Sequence, residues 1–255
     1  MTLTLTPLEG IPLIQPGDDL SKLILDSLFS SGLCMQGGDI LVLAQKIVSK
    51  AEGRLVNLTT IRPSEEALGL SLVTGKDPRL LELILQESND VLRTRLGLII
   101  VEHRLGFVCA NAGIDHSNVK GEWGDPGDWV LLLPENPDAS AKTLRDKIER
   151  EVGAKIGVMI IDSHGRAWRT GTAGVCIGLS GIPGVADLRG EMDLFDYTLR
   201  ATEVGVADEL AAGASLVMGQ VAEGFPVVHA RGFPYPLREA ALGELIRPKD
   251  KDLFR

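Results

Sequence analysis

Ile156-Gly157-Val158-Met159-Ile160-Ile161-Asp162-Ser163-His164-Gly165-Arg166 is the stretch whose reading decides the fold. Gly157 to Ile161 is a continuous apolar run bounded by Gly153 and Gly165. It is too short for a helix and rich in β-branched side chains, so it reads as a buried strand. At Asp162 the pattern breaks. Acid, hydroxyl, imidazole and guanidinium follow one another there on a predicted turn. Ligands of α/β proteins gather at the ends of buried strands, which makes Asp162 a candidate site residue. The plainer alternative is a capped turn whose carboxylate accepts backbone N–H bonds.

Working outward, Asp39 to Ala44 reads as a second buried strand, ending in Gln45-Lys46. Lys50 is expected just past that strand, where an ammonium meets a phosphate, or else as a solvated surface lysine. Thr2 to Thr6, Trp129 to Leu133 and Pro226 to Ala230 are further strands. Leu98 to His103 and Phe107 to Ala110 form a predicted hairpin about Arg104-Leu105-Gly106. Helices are predicted from an Asp18 or Asp19 cap to Phe29, over Ser64 to Ser71, from Asp77-Pro78 to Asn89, from Pro137 to Val152, and over Leu194 to Met218. The last is rich in small residues and suits close packing. Glycines crowd between Gly171 and Gly190, which predicts irregular backbone, for tight packing or for close approach to a ligand. The charged tail beyond Arg247 reads as frayed.

The chain has 255 residues, 44% of them hydrophobic, and a net charge of −9. That charge repels nucleic acid and anionic membranes. An anionic substrate would need local cations. No apolar run is long enough for a membrane helix, and the N-terminus lacks a basic region leading into an apolar one. Cys34, Cys109 and Cys176 lie far apart and are read as small buried hydrophobes in a reducing, cytoplasmic compartment.

Several motifs fail. Gly75-Lys76 is followed by Asp77 where a P-loop needs Ser or Thr, and Gly178, Gly181 and Gly184 are not spaced as a dinucleotide fingerprint. There is no HExxH, CxxC or GxSxG. A lone His103 or His229 in a strand reads as structural. What remains is rich in oxygen: Asp115 and Asn118 on one loop, Asp162 and Ser163 on another, and Gln220 or Glu223 after the last helix. Such donors suit Mg²⁺ or Mn²⁺ rather than zinc, and those ions can carry a triphosphate into an acidic protein.

Ordered segments complete the pattern. They are Glu9 to Ile14, Ile47 to Arg54, Cys109 to Asp115 with Ser117-Asn118, Leu133-Pro134 with Pro137 to Ala141, Asp162 to Gly165, Ala207 to Ala211 and Leu216 to Gly219. With them the chain resembles the coenzyme F420:L-glutamate ligases over nearly its whole length. The resemblance implies an α+β fold of two intimately joined α/β subdomains with mixed sheets, and an intertwined homodimer. It implies one ligase domain over residues 1–255 with no fused C-terminal reductase domain. It also implies GTP-dependent addition of L-glutamate, through γ-linked amide bonds, to the lactyl carboxylate of coenzyme F420-0 by way of an acyl phosphate.

Carried over by position, Asp115 and Asp162 are the catalytic pair and bind one divalent ion, while Ser163 and Gln220 bind a second. Both ions would be Mg²⁺ or Mn²⁺, with K⁺ as a further cation. The nucleotide would be met by Gly10, Ile11, Pro12, Leu13, Ala44, Gln45, Lys50 and Asn118, and by Met218, Gly219, Gln220, Val221, Ala222, Glu223, Gly224 and Phe225. Departures matter here. Relatives commonly carry Thr at the Ser163 position, an acid at Gln220, a hydroxyl pair at Ala44-Gln45 and Gly-Arg at Asp196-Tyr197. These leave two alternatives: a ligase for a different acyl substrate, and a nucleotide- or metal-binding protein without catalysis.

Overall fold

A computed structural model describes residues 2–121 and 123–253. The chain opens with strand β1 (Thr4–Pro7), helix α1 (Leu20–Ser30), strand β2 (Ile40–Ala44) and helix α2 (Gln45–Ala51). Strand β3 (Leu55–Asn57), helices α3 (Glu65–Thr74) and α4 (Pro78–Gln86), and strands β4 (Ser88–Arg95), β5 (Leu98–His103), β6 (Val108–Ala110) and β7 (Trp129–Leu131) follow. Then come helix α5 (Pro137–Val152), strands β8 (Gly157–Gly165), β9 (Thr172–Ser180), β10 (Ala186–Asp187) and β11 (Glu203–Val204), helix α6 (Val206–Met218) and strand β12 (Val227–Arg231).

The main sheet has the order β1-β12-β2-β8-β9. β2 and β8 run parallel at its centre and every other pair is antiparallel. The apolar runs are continuous because both faces are covered. Leu41, Leu43, Val158 and Ile160 pack against α1, α2 and α5, while Ile40, Val42, Met159 and Ile161 pack against α6. Successive side chains of a strand point to opposite faces, so alternation survives as two apolar sets.

A smaller lobe has its own core of Leu58, Leu81, Ile84, Ile99, Val101, Ile114 and Val130, drawn from α3, α4 and the β3–β7 and β4–β5–β6 sheets. The mixed α/β architecture of the resemblance is therefore present. Gly75, the false P-loop glycine, is the left-handed C-cap of α3 (φ 67°).

Five sequence expectations are corrected. β8 does not stop at Asp162: Asp162 to Gly165 remain strand, paired with Val175 to Thr172. The glycine-rich stretch is regular strand for half its length. A register shift opposite Ile160 and Ile161 re-phases β9, so that a Cβ on Gly174 would lie 2.6 Å from the Ala211 oxygen of α6, and one on Gly178 would lie 2.3 Å from Cβ of Pro137 at the start of α5. These glycines admit two helices from opposite faces. The last helix begins only at Val206. Before it, Met192 to Thr198 form an exposed hairpin-like loop. Cys34 is exposed, and only Cys109 and Cys176 are buried. The charged tail is tied down where it is described, because Lys249 Nζ meets the buried Glu102 carboxylate at 2.7 Å. Residues 254–255 lie outside the described residues.

Candidate functional site

Parallel pairing aligns Ala44, the last residue of β2, with Ile161, so Asp162 and Ser163 on β8 lie just beyond the end of β2. β12 starts there too, with Val227 opposite Leu43. The Ala44 N–H donates to the Pro226 oxygen at 2.8 Å, and the Leu8 N–H to the Val227 oxygen at 2.9 Å. This edge therefore gathers Gly10 to Leu13, Ala44 to Lys50, Asp162-Ser163 and the Met218 to Phe225 stretch.

One more loop arrives from the smaller lobe. After β6, Asn111, Ala112 and Gly113 are all left-handed, with φ of 53°, 52° and 66°. A Cβ at Gly113 would lie 2.6 Å from Leu133 Cδ1, so glycine is required. The turn delivers Asp115, whose backbone then bonds Leu131 in both directions at 3.0 and 2.9 Å.

Asp115 Oδ2 accepts from Gln45 Nε2 at 3.0 Å and lies 3.4 Å from Lys46 Nζ. Burial pushes the Asp115 carboxyl up from its ordinary value; the Lys46 charge opposes that, and the charge of Asp162 adds to it. The two aspartates are thus near enough for the charge of one to act on the other. Asp162 Oδ2 lies 3.0 Å from His164 Nε2, a buried nitrogen that completes no hydrogen bond. The His164 ring tilts against Phe107 at 5.2 Å. Burial and the Asp162 charge push the Cys109 thiol up to about 12, so it stays protonated and inert as a nucleophile. Among the described residues, the second oxygen of each aspartate takes no protein donor.

Strand alternation turns Ser163 to the opposite face from Asp162. There its Oγ donates to Gln220 Oε1 at 3.1 Å, while Gln220 Nε2 donates to Ser215 Oγ at 3.0 Å. Lys50 Nζ donates to the Asn118 oxygen at 2.8 Å, and Asn118 Nδ2 to the Val221 oxygen at 3.1 Å. Burial, then the neighbouring Lys46, lowers the Lys50 ammonium from its ordinary value. The edge is thus acidic at its centre and cationic on one flank.

Some expected residues sit otherwise than sequence suggests. Lys50 is in the last turn of α2, not just past a strand. Gln45 is buried and committed to Asp115 and Ser49, and Met218 faces the core under α6, so neither side chain is open to a nucleotide. The Glu223 carboxylate turns back onto the Val221 N–H at 2.8 Å. Ile11 packs against the core while Leu13 is exposed, and no hydrogen bond among the described residues joins Gly10 to Leu13 to the aspartates. Sequence reasoning misses Lys46 and His164 as partners of the acids, and Ser117 as a partner of Lys46. Lys46 stands four residues before Lys50, one helical turn on the same face, which is the available signal. Lys46 Nζ also bonds Ser117 Oγ at 2.7 Å.

Among the described residues no three His, Cys, Asp or Glu side chains cluster as a ready-made metal cage. Asp115 and Asp162, each with an oxygen that takes no protein donor among those residues, could hold a hard cation such as Mg²⁺ or Mn²⁺, which takes one or two carboxylates and completes its shell with water and phosphate oxygens. Ser163 and Gln220, bonded to each other on the other face of β8, are a separate oxygen pair.

The family model described as F420-0:Gamma-glutamyl ligase matches residues 10–232. The chain is 45% identical over 257 residues to the coenzyme F420:L-glutamate ligase of Methanothermobacter thermautotrophicus, covering 100% of both chains. It is 44% identical to that of Methanopyrus kandleri, covering 97% of both, and 40% identical to that of Archaeoglobus fulgidus, covering 100% of this chain and 97% of the relative. The glycine-led Asp115 loop and the strand bearing Asp162 both fall within the matched span, and the chain belongs to the F420-0:gamma-glutamyl ligase family, a family of ligases.

Proposed function

We propose that this protein joins L-glutamate, through γ-linked amide bonds, to the lactyl carboxylate of coenzyme F420-0, using GTP. What supports the reading is that Asp115, on a loop of the smaller lobe, and Asp162, on β8, are close enough to act on each other's charge, in a chain 45% identical to a relative over the full length of both.

Asp115 and Asp162 would hold one divalent ion, and Ser163 with Gln220 a second on the other face of β8. Such ions neutralise charge developing on the transferred phosphoryl group and keep donor and acceptor in line. Lys46 and Lys50 add fixed positive charge beside that position, offsetting the −9 of the chain for an anionic substrate. Gly10 to Leu13, Ala44, Asn118 and Gly219 to Phe225 would line the nucleotide at the same edge. Gln45 and Met218 would take part through backbone only. The substrate carboxylate attacks the γ-phosphorus and GDP leaves. The glutamate amine then attacks the acyl carbon, loses a proton and displaces inorganic phosphate.

The homodimer belongs to the same proposal. Leu194 and Phe195, 95% and 88% exposed, crown the loop between β10 and β11 with Met192 and Tyr197 beside them. Apolar side chains presented together mark an interface, and Phe195→Ser should shift the light-scattering mass to that of one chain; a monomeric wild type would sink the dimer. Asp196-Tyr197 lies in this loop, with Arg200 over the Tyr197 ring at 6.0 Å. That substitution supports a second reading, in which the same chemistry serves a different acyl substrate.

The deciding experiment combines GTP, Mg²⁺ or Mn²⁺, L-glutamate and the deazaflavin precursor. A glutamylated product and free phosphate are expected only with all four. Asp162→Ala should lower turnover at least about a hundredfold with the melting temperature little changed. Absence of product with every divalent ion tried would overturn the reading.

A further inference from the structure

Gln45 and Ser49 are 1% and 0% exposed, among the most buried polar side chains of the molecule. They stand one turn apart on α2, which packs on the main sheet. Ser49 Oγ donates to Gln45 Oε1 at 2.9 Å, and Gln45 Nε2 donates to Asp115 Oδ2 at 3.0 Å. The first bond decides the second. With Oε1 occupied by the hydroxyl, the amide can only turn its NH₂ toward the carboxylate. A flipped amide would set oxygen against oxygen in a site of low polarity.

We propose that Gln45 and Ser49 are positioning residues for Asp115. Ser49 orients the Gln45 amide, and the amide holds one carboxylate oxygen from the core side, leaving the other for a ligand. This rests on the reading that Asp115 binds a divalent ion. The bond also joins a loop of the smaller lobe to a helix of the larger one at the acid itself. The Lys46 contact is the outer, longer one, with the lysine side chain 27% exposed, and it has the freedom to move that the buried pair lacks. Replacing the amide by an apolar side chain of equal volume removes the donor that orients Asp115 and leaves the buried Ser49 hydroxyl without its acceptor.

The test measures Mn²⁺ binding by calorimetry and steady-state kinetics on the full chain. Gln45→Met keeps the volume and should weaken Mn²⁺ binding about tenfold, the scale of outer-shell partners, and lower kcat, with the melting temperature lowered by about 2–6 °C for the groups left unpaired. Ser49→Ala should produce a smaller loss of the same kind. Because both act through one chain of bonds, the double variant should bind Mn²⁺ no more weakly than Gln45→Met alone. Wild-type Mn²⁺ affinity in Gln45→Met, or fully additive losses in the double variant, overturns the proposal. If Gln45→Met does not fold, Ser49→Ala decides alone, and unchanged Mn²⁺ affinity there has the same meaning. Wild-type protein that binds no Mn²⁺ sinks the proposed metal site, and this inference falls with it.

Discussion

An acid stands at each end of strand β2, Asp39 just before it and Asp115 brought from the smaller lobe to Gln45 just after it, and the two are opposites. At its start, Asp39 is 2% exposed and is enclosed by Arg231 at 2.6 Å, His229 at 2.9 Å and the Gln36 N–H at 2.8 Å. Burial alone would push its carboxyl up, but those partners outweigh it and hold Asp39 below its ordinary value. At the far end, Asp115 has one amide at 3.0 Å and one ammonium at 3.4 Å, feels the charge of a second carboxylate, and is held above its ordinary value. Asp39 is closed off from solvent while the Asp115 side chain is 29% exposed, and the fold answers the charge of the first more completely. A fully partnered acid is a structural joint; an under-partnered pair with free oxygens is a place that draws a cation.

The largest effect should follow from breaking the closed end. Asp39→Ala leaves the Arg231 guanidinium and His229 without their partner and should cost about 4 kcal/mol. That is roughly 8–16 °C in melting temperature for a chain of this size, with turnover kept where the protein stays folded. A loss in scanning calorimetry no greater than that of a surface substitution would erase the contrast.

A control away from both ends is His103 in the smaller lobe. It is fully buried, its Nδ1 accepts from the Leu105 N–H at 3.0 Å, and burial lowers it to about 4. The unfolded chain takes up this proton first as pH falls. The contribution is therefore complete above about pH 6.5 and is lost as pH falls toward about 4. Its size is about 3 kcal/mol. Urea unfolding across that range should show the decline, and His103→Gln should flatten it.

The smallest effect sharpens the comparison most. Asp115 is raised, so the unfolded chain releases that proton first, and folding is penalised as pH rises above about 4. Asp115→Asn keeps an oxygen for Gln45 and removes the penalty. It should raise the melting temperature at neutral pH by about 1–2 °C while abolishing turnover. The gain should vanish in acid. A lower melting temperature at pH 7 would mean that Asp115 is a structural acid like Asp39.

Much of this is legible in sequence because the signals are local. The Asp39 to Ala44 and Gly157 to Ile161 runs announce buried strands by composition alone. Asp19, Asp77 and Asn136 cap their helices as short polar side chains do, and Pro78 and Pro137 open theirs. Asp115, Asn118, Asp162, Ser163 and Gln220 stand out by residue type and by resemblance. What fails is non-local. The polar end of β8 stays a strand because β9 pairs with it, and a turn reading of Asp162-Ser163-His164 has no knowledge of that partner.

By itself, then, the sequence determined the buried strands, most of the helices and the family, since periodicity, caps and ordered motifs are carried by neighbours along the chain. The tertiary structure alone decided that Asp162 lies just beyond the end of β2, that a left-handed turn from the smaller lobe brings Asp115 within reach of its charge, and that Gln45 bonds the acid from within the core. Charge and hydrogen bonding depend on distance through space, which residue spacing along a chain does not record.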